Sequence, residues 1–471
     1  MIWIAVTLLS VACAAPTDQE SVRISFSQKA LDYGEDIAFY MIDILQKVAV
    51  DKLSLPNISQ DQFRATNLKF GALDLGKPEI SIVPNVGLKW RNGNAKIQVT
   101  GGWAAKAGWW WTSGDMTLDA TLAVEATAGI TASNGKLVTA PKGCSVHYHS
   151  FNLDLHNSFF SWVVSLFESY ITPEITSAVC DEINKLLRTT VNGVIASLPH
   201  DIPVADIMDV EIEADSNPVF SSSGFDISAR VIADQQGSDV VFPFSPEPIV
   251  SQMDTSLMVC LLVSDYTLNT ASYVALAAGQ LKESVPSALL NASNPVMNTA
   301  YFKTSIPEFY TAYPDAAITY SVVNTRYPRA EFDHDNIILD MPVELSVQVA
   351  GADVLTLALS LTVEGNMQHN NNVLSGQATS ATHTSSIKSS HIGNINVDDI
   401  EGVIDDILNN TVLPKINAVI VKGVTLPIDQ YVSLNKGVLE AHDDFVKVCA
   451  DATLTDFSLQ ELKKIAEDIL I

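Results

Sequence analysis

The chain is poor in charge, and poorest in positive charge. Only 17% of its 471 residues are charged, and 27 Lys and Arg face 54 Asp and Glu, a net of −27. Nucleic-acid binders need basic stripes that displace counterions from phosphates. Both halves of the chain, divided at Pro243, are acidic, so no nucleic-acid partner is expected. Cysteine is scarce, with five residues in all, and neither Cys nor His stands at metal-ligand spacing. His147 and His149 share one face of a presumed strand but lack a third ligand, so no metal is expected. The hydrolase elbow Gly-X-Ser-X-Gly, the zinc motif His-Glu-X-X-His and the phosphate loop Gly-X-X-X-X-Gly-Lys are all missing. No catalytic residue and no cofactor follow from what remains. Past the N-terminus, no apolar run reaches the roughly 18 residues a membrane-spanning helix needs.

What is present is apolar: 47% of residues are hydrophobic, enough for large cores in two domains. Residues 1–15, ending in Ala12-Cys13-Ala14-Ala15, read as a secretory signal peptide. Four cysteines then remain. Cys144 precedes a strand-like segment and Cys180 lies in an apolar helix, so a disulfide between them would staple helix to sheet. Cys260 and Cys449 either pair across neighbouring strands or stay buried thiols. Asn57, Asn291 and Asn409 open glycosylation sequons, as a secreted, extracellular chain permits.

Periodicity divides the chain into alternating kinds of element. Ser27 sits as an N-cap before a helix whose face carries Leu31, Ile37, Tyr40, Met41, Ile44 and Leu45. From Phe63 to Val138 the period changes to two, with Gly and Pro punctuation, which predicts meandering antiparallel strands. A long apolar helical run from Phe159 to Leu198, interrupted at Pro173, places Val163, Phe167, Ile171 and Ile175 on one face. Three prolines between Pro243 and Pro248 mark a linker at 242–254, separating domains at 16–241 and 255–471. Beyond it the pattern recurs. Ser264, Leu268 and Val274 match Ser27, Leu31 and Ile37 at an offset of 237, and Val412, Pro414 and Ile416 match Ile171, Pro173 and Ile175 at 241, which suggests a duplicated unit.

These residues carry a family resemblance. The stretches Ser27-Gln-Lys-Ala-Leu-Asp-Tyr33, Ile80-Ser-Ile-Val-Pro-Asn-Val-Gly-Leu-Lys-Trp90 and Leu262-Val-Ser-Asp-Tyr-Thr-Leu-Asn-Thr-Ala271 are the most specific. With the Cys144/Cys180 pair and Asn394 to Pro427, they resemble the secreted family of bactericidal/permeability-increasing protein, lipopolysaccharide-binding protein, phospholipid transfer protein and cholesteryl ester transfer protein. The resemblance implies an α+β fold, an elongated boomerang of two similar tubular domains. Each would be a twisted antiparallel barrel wrapped around long helices, joined by a central sheet. It also implies apolar pockets for phospholipid-like lipids. Ile37, Tyr40, Met41, Ile44, Leu45, Val163, Phe167 and Ile171 would line the first, and Leu268, Val274, Ile404 and Leu408 the second.

The departures from that family pattern are informative. Its lipopolysaccharide-binding members carry a Lys- and Arg-rich hairpin at the tip of the first domain. Here the corresponding stretch, Gly101 to Gly114, has Lys106 as its one basic residue. A second tip loop, His156 to Phe160, has no Lys or Arg. Trp103, Trp109, Trp110 and Trp111 dominate the tip instead, an apolar ring with an N–H donor suited either to a membrane or lipoprotein surface or, for one or two of the rings, to capping the barrel core. The C-terminal stretch from Ser458, with Glu461 completing a capping box, is amphipathic and could close a pocket as a lid. The expectation is a secreted, non-enzymatic lipid-binding protein that transfers lipids between membranes or lipoproteins. The alternative is an innate-immunity recognition protein that binds lipopolysaccharide or another microbial lipid. Oligomeric state and headgroup preference are not legible in the sequence.

Overall fold

The computed structural model describes residues 20–39, 55–156, 161–196, 201–204, 208–235, 240–279, 282–284, 294–334, 336–422, 424–425 and 432–460. Among these, three antiparallel sheets organise the chain. The central one runs in the order Val432–His442, Phe445–Leu454, Val259–Ser264, Val22–Ser27, Gly224–Gln235, Met208–Ala214, Asp201–Val204. Both halves of the sequence feed it. At its middle, Val22–Ser27 and Val259–Ser264 lie side by side with Ile24 opposite Leu261. These strands have equal length and stand 237 residues apart (27 to 264), so the duplication appears as a local two-fold relation between adjacent strands. The same spacing separates two hairpin turns, where Asn134 and Asn371 adopt φ of 52° and 51°, a left-handed conformation that Asn tolerates.

The N-terminal sheet consists chiefly of Phe63–Asp74, Gly87–Ala107, Trp110–Ser133 and Lys136–Leu155. Period-two alternation sends Ile97, Val99, Trp103, Met116, Leu118 and Leu122 to one face, where Ile171 and Ile175 of the helix Ser161–Lys185 meet them. Burying each such side chain contributes about 1.5–3 kcal/mol. Cys144 and Cys180 are bonded, tying this helix to the last strand. Cys260 and Cys449 sit directly opposite each other on adjacent strands of the central sheet and are also bonded. The C-terminal sheet repeats the plan with Ile318–Asn324, Asn336–Val349, Ala352–Asn370 and Val373–Ser390, covered by Val397–Ile407 and Leu413–Ile420.

Several expectations need correction. The helix Ser161–Lys185 runs through Pro173 without ending there; Ile171 and Ile175, each 2% exposed on either side, hold it against the sheet despite the missing backbone N–H. Within the meander expected from Phe63 to Val138, residues 87–107 form one long strand, Gly87–Ala107, because the partner Trp110–Ser133 runs alongside it throughout. The match of Pro173 with Pro414 is not structural. The long helices are related instead through their π-helical turns, Leu186–Val191 and Leu408–Val412, and the asparagines beyond them. Asn192 Oδ1 accepts from Thr139 N at 2.8 Å and its amide donates to Thr139 O at 3.0 Å. Asn417 makes the same pair of bonds to Ala378, at 2.7 and 2.9 Å. Finally, Thr455 rather than Ser458 caps the terminal helix, its Oγ1 accepting from Ser458 N; Glu461 lies outside the described residues.

Residues 242–254 contain no helix or strand, yet they are anchored. Phe242 packs 5.6 Å from Tyr273, while Phe244 stands 5.5 Å from Tyr266 and 5.2 Å from Tyr327, ring centre to ring centre. Such edge and tilted contacts add about 0.5–1.5 kcal/mol each beyond area burial. The connection is therefore strapped to the helix Asp265–Ala277.

Candidate functional site

The strands of the N-terminal sheet pack on the central core at one end, through Leu88, Ile130 and Leu137, and at the other end a hairpin concentrates exposed aromatic surface. Its strands Gly87–Ala107 and Trp110–Ser133 pair to the end, Ala107 opposite Trp110, leaving Gly108 and Trp109 as a two-residue turn. Gly108 takes φ of 68°, a conformation that costs glycine nothing. Trp109 at the apex is 91% exposed. Trp110 and Trp111 follow on opposite faces and are both exposed.

Trp111 lies on the outer face opposite Lys106, and Arg64 stands opposite Ala104 on the neighbouring strand. The Arg64 guanidinium accordingly sits 4.6 Å above the Trp111 ring, a cation–π contact. Lys106 is exposed beside it. The arrangement offers apolar rings at the apex and two cations one step behind, a spacing that suits an apolar phase bordered by phosphate.

Trp103 is not part of this surface. It is 2% exposed in the core of the sheet, with Nε1 donating to Asp115 O at 3.1 Å. Its parity matches inward-facing Ile97, Val99 and Ala105. Gly114, directly opposite, makes room for it: a Cβ there would meet Trp103 Nε1 at 3.1 Å and His156 O at 2.5 Å. Of the second tip loop, His156 to Phe160, His156 is exposed and residues 157–160 lie outside the described residues.

The expected pocket residues do not form one set. Ile171 is buried and, with Leu55, Pro56, Ile58, Leu68, Val99, Glu174 and Ile175, lines a small crevice of about 10 Å³ between helix and sheet, room for about one water. Ile37 packs at the base of the N-terminal sheet against the central core. Tyr40, Met41, Ile44 and Leu45, and the side chains of Val163 and Phe167, lie outside the described residues. Ile404 and Leu408 are buried in the C-terminal core. Val274 is buried against Ala233 of the central sheet, away from that core. Leu268 is 45% exposed. Although it matches buried Leu31 in sequence, the helix Asp265–Ala277 turns that position outward while burying Asn269 and Thr270.

Asn57 and Asn409 are exposed; Asn291 lies outside the described residues. Tertiary folding brings Asp333, His334 and Asp443 together within 4.8 Å, all exposed. His334 Nδ1 is there 2.9 and 2.7 Å from the two carboxylates, a polar contact between two turns. Among the described residues no helix is long and apolar enough to cross a membrane.

Comparison with known proteins places this geometry. The N-terminal-domain profile of the LBP / BPI / CETP family matches residues 31–197, and its C-terminal-domain profile residues 209–454. Bactericidal permeability-increasing protein of Rattus norvegicus is 23% identical over 475 residues, covering 95% of this chain and 97% of that protein. Lipopolysaccharide-binding protein of Mus musculus is 24% identical over 426 residues, 85% of this chain and 87% of the relative. A crystal structure of lipopolysaccharide binding protein superposes with a TM-score of 0.57 at 18% identity, covering 93% of this chain and 99% of that one. At that identity the superposition speaks for the fold.

Proposed function

This chain belongs to the LBP / BPI / CETP family, and from that premise we propose that it is a secreted lipid-binding protein that docks on lipid surfaces through Trp109, Trp110 and Trp111. Its physical task is to lower the barrier for a phospholipid-like molecule to leave one apolar phase and enter another. Lipid-binding units at 16–241 and 255–471 flank the linker at 242–254, and each lends strands to the shared sheet. Asn57 and Asn409 are the sequons whose exposure suits glycosylation.

The observation that carries the reading is the asymmetry of the two ends. In the C-terminal half the hairpin turn Ala350-Gly351, where Gln348 donates to Asp353, carries no aromatic residue of its own. The N-terminal turn alone presents contiguous indoles, and exposed contiguous apolar surface marks binding. A Trp ring carries about 150–250 Å², roughly 4–6 kcal/mol if fully withdrawn from water at about 25 cal/mol/Å². Even partial insertion of three rings supports reversible docking. Lipopolysaccharide recognition is the second reading, favoured by the names of the relatives and by the Arg64–Lys106 pair.

The test combines two measurements on protein purified without detergent: mass spectrometry of extracted lipid, and transfer of a fluorescent phospholipid between liposomes. Co-purified phospholipid with accelerated transfer is the expected result. Bound lipid without transfer favours recognition, and an empty, inert protein rejects both. Changing Trp109, Trp110 and Trp111 together to Ser is expected to weaken liposome binding at least about 100-fold with the circular dichroism spectrum unchanged. Undiminished binding by that folded variant refutes docking through the tip.

A further inference from the structure

Inside the C-terminal sheet, two neighbouring polar side chains each set one unbonded polar atom against an apolar core. Along Val373–Ser390, the alternate residues Ala381, His383, Ser385 and Ile387 share one face. Ala381 and Ile387 pack in the cluster that includes Ile404 of the covering helix. His383 and Ser385, between them, point into the same cluster. The His383 side chain is 4% exposed. Its Nδ1 and the Ser385 Oγ are both buried and have no hydrogen-bond partner among the described residues. A buried polar atom left without its bond is destabilising, and here there are two on adjacent inward positions.

The second ring nitrogen sets the polarity. His383 Nε2 lies 3.3 Å from Asp405 Oδ1. An ionised carboxylate only accepts, so in the ring's neutral form the proton sits on Nε2 and a lone pair is presented at Nδ1. Whatever meets Nδ1 must donate. The Ser385 hydroxyl, by contrast, can donate or accept. Residues two apart on a strand stand about 6.5–7 Å apart, and two hydrogen bonds of about 2.8 Å through one hydroxyl oxygen span up to about 5.6 Å, so one hydroxyl reaches both atoms when the side chains lean toward each other by about 1 Å or more. The surrounding walls, with Leu359, Ile404 and Leu408, are apolar.

Resting on the lipid-binding reading above, we infer that the C-terminal core selects a lipid with a free hydroxyl group, which donates to His383 Nδ1 and accepts from Ser385 Oγ. A lipid with the same chains and no hydroxyl leaves both atoms unpaired. Trapped water would satisfy the same atoms and confer no such preference.

The experiment uses the full-length protein stripped of lipid. Dioleoylglycerol and dioleoyl-propanediol, the same molecule without its hydroxyl, each compete against a fluorescent phosphatidylcholine. The alcohol is expected to bind about tenfold tighter or more. His383→Leu with Ser385→Ala is expected to abolish that preference and leave the affinity for dioleoyl-propanediol unchanged. Should the double variant fold poorly, Ser385→Ala alone is expected to reduce the preference and Ser385→Thr to keep it. Equal affinities in the unmodified protein, or a preference that survives in Ser385→Ala and in the folded double variant, overturn the inference and leave the lipid-binding reading standing. Binding of neither lipid takes that reading down as well.

Discussion

Single residues in this protein show how burial changes chemistry without any change in sequence pattern. Asp265 opens a helix, a place where a carboxylate is normally welcome, but it is buried. Burial foremost, then the neighbouring Asp444 charge, push its carboxyl from 3.8 up to about 6. A raised acid pKa means that the folded state holds the proton more tightly than the unfolded chain. Its contribution therefore penalises folding as pH rises from about 4 through about 6, and the penalty is complete above that. Asp265→Asn is expected to raise stability by about 2 kcal/mol near pH 7, after allowing for the lost helix-terminus interaction. That gain is expected to vanish near pH 4; denaturant unfolding at both pH values checks it, and a pH-independent gain contradicts the account. Trp103 gives the same lesson with an apolar ring. Grouping it with the three exposed tryptophans followed sequence proximity, whereas its strand parity with Val99 and Ala105 already indicated an inward side chain.

At the level of elements, the long helices were legible in outline and not in detail. Spacing of three and four predicted the helical face that holds Ile171 and Ile175, because amphipathic periodicity is a local property. The π-helical turns carry no such signature, and Pro173 suggested a break that packing overrides. The asparagines after those turns do more than propensity would indicate. Each amide closes on one strand residue's N–H and C=O, the work of a missing neighbouring strand. Asn417→Ala leaves both Ala378 groups without this partner and is expected to cost about 1–3 kcal/mol. Asn417→Asp, which keeps the acceptor and loses the donor, should fall between. Unfolding midpoints in urea that do not separate the three proteins would show that water replaces the amide at no cost.

For the whole molecule, the net charge of −27 works against any anionic surface, while the tip supplies Arg64, Lys106 and three indoles. Docking driven by the rings should depend little on salt, whereas the long-range repulsion is screened over about 10 Å at roughly 0.1 M. Binding to phosphatidylglycerol vesicles is therefore expected to strengthen, or hold level, as salt rises from about 0.02 to about 0.2 M. A steep loss over that range, the behaviour of a basic tip, would contradict the charge argument.

The sequence by itself determined the antiparallel strands, the apolar helices, the aromatic tip and the first mark of duplication, because each is written in residues close together in the chain or in a constant spacing. The tertiary structure decided what distance in sequence hides. Adjacent placement of Val22–Ser27 and Val259–Ser264 turned a repeat of 237 into a shared sheet. Leu31 and Leu268 match in sequence but face core and solvent, since a side chain's environment is set by what packs on its element. The orphaned pair His383 and Ser385 could be recognised only with the covering helix in place, because an unpaired polar atom is defined by neighbours that no local pattern records.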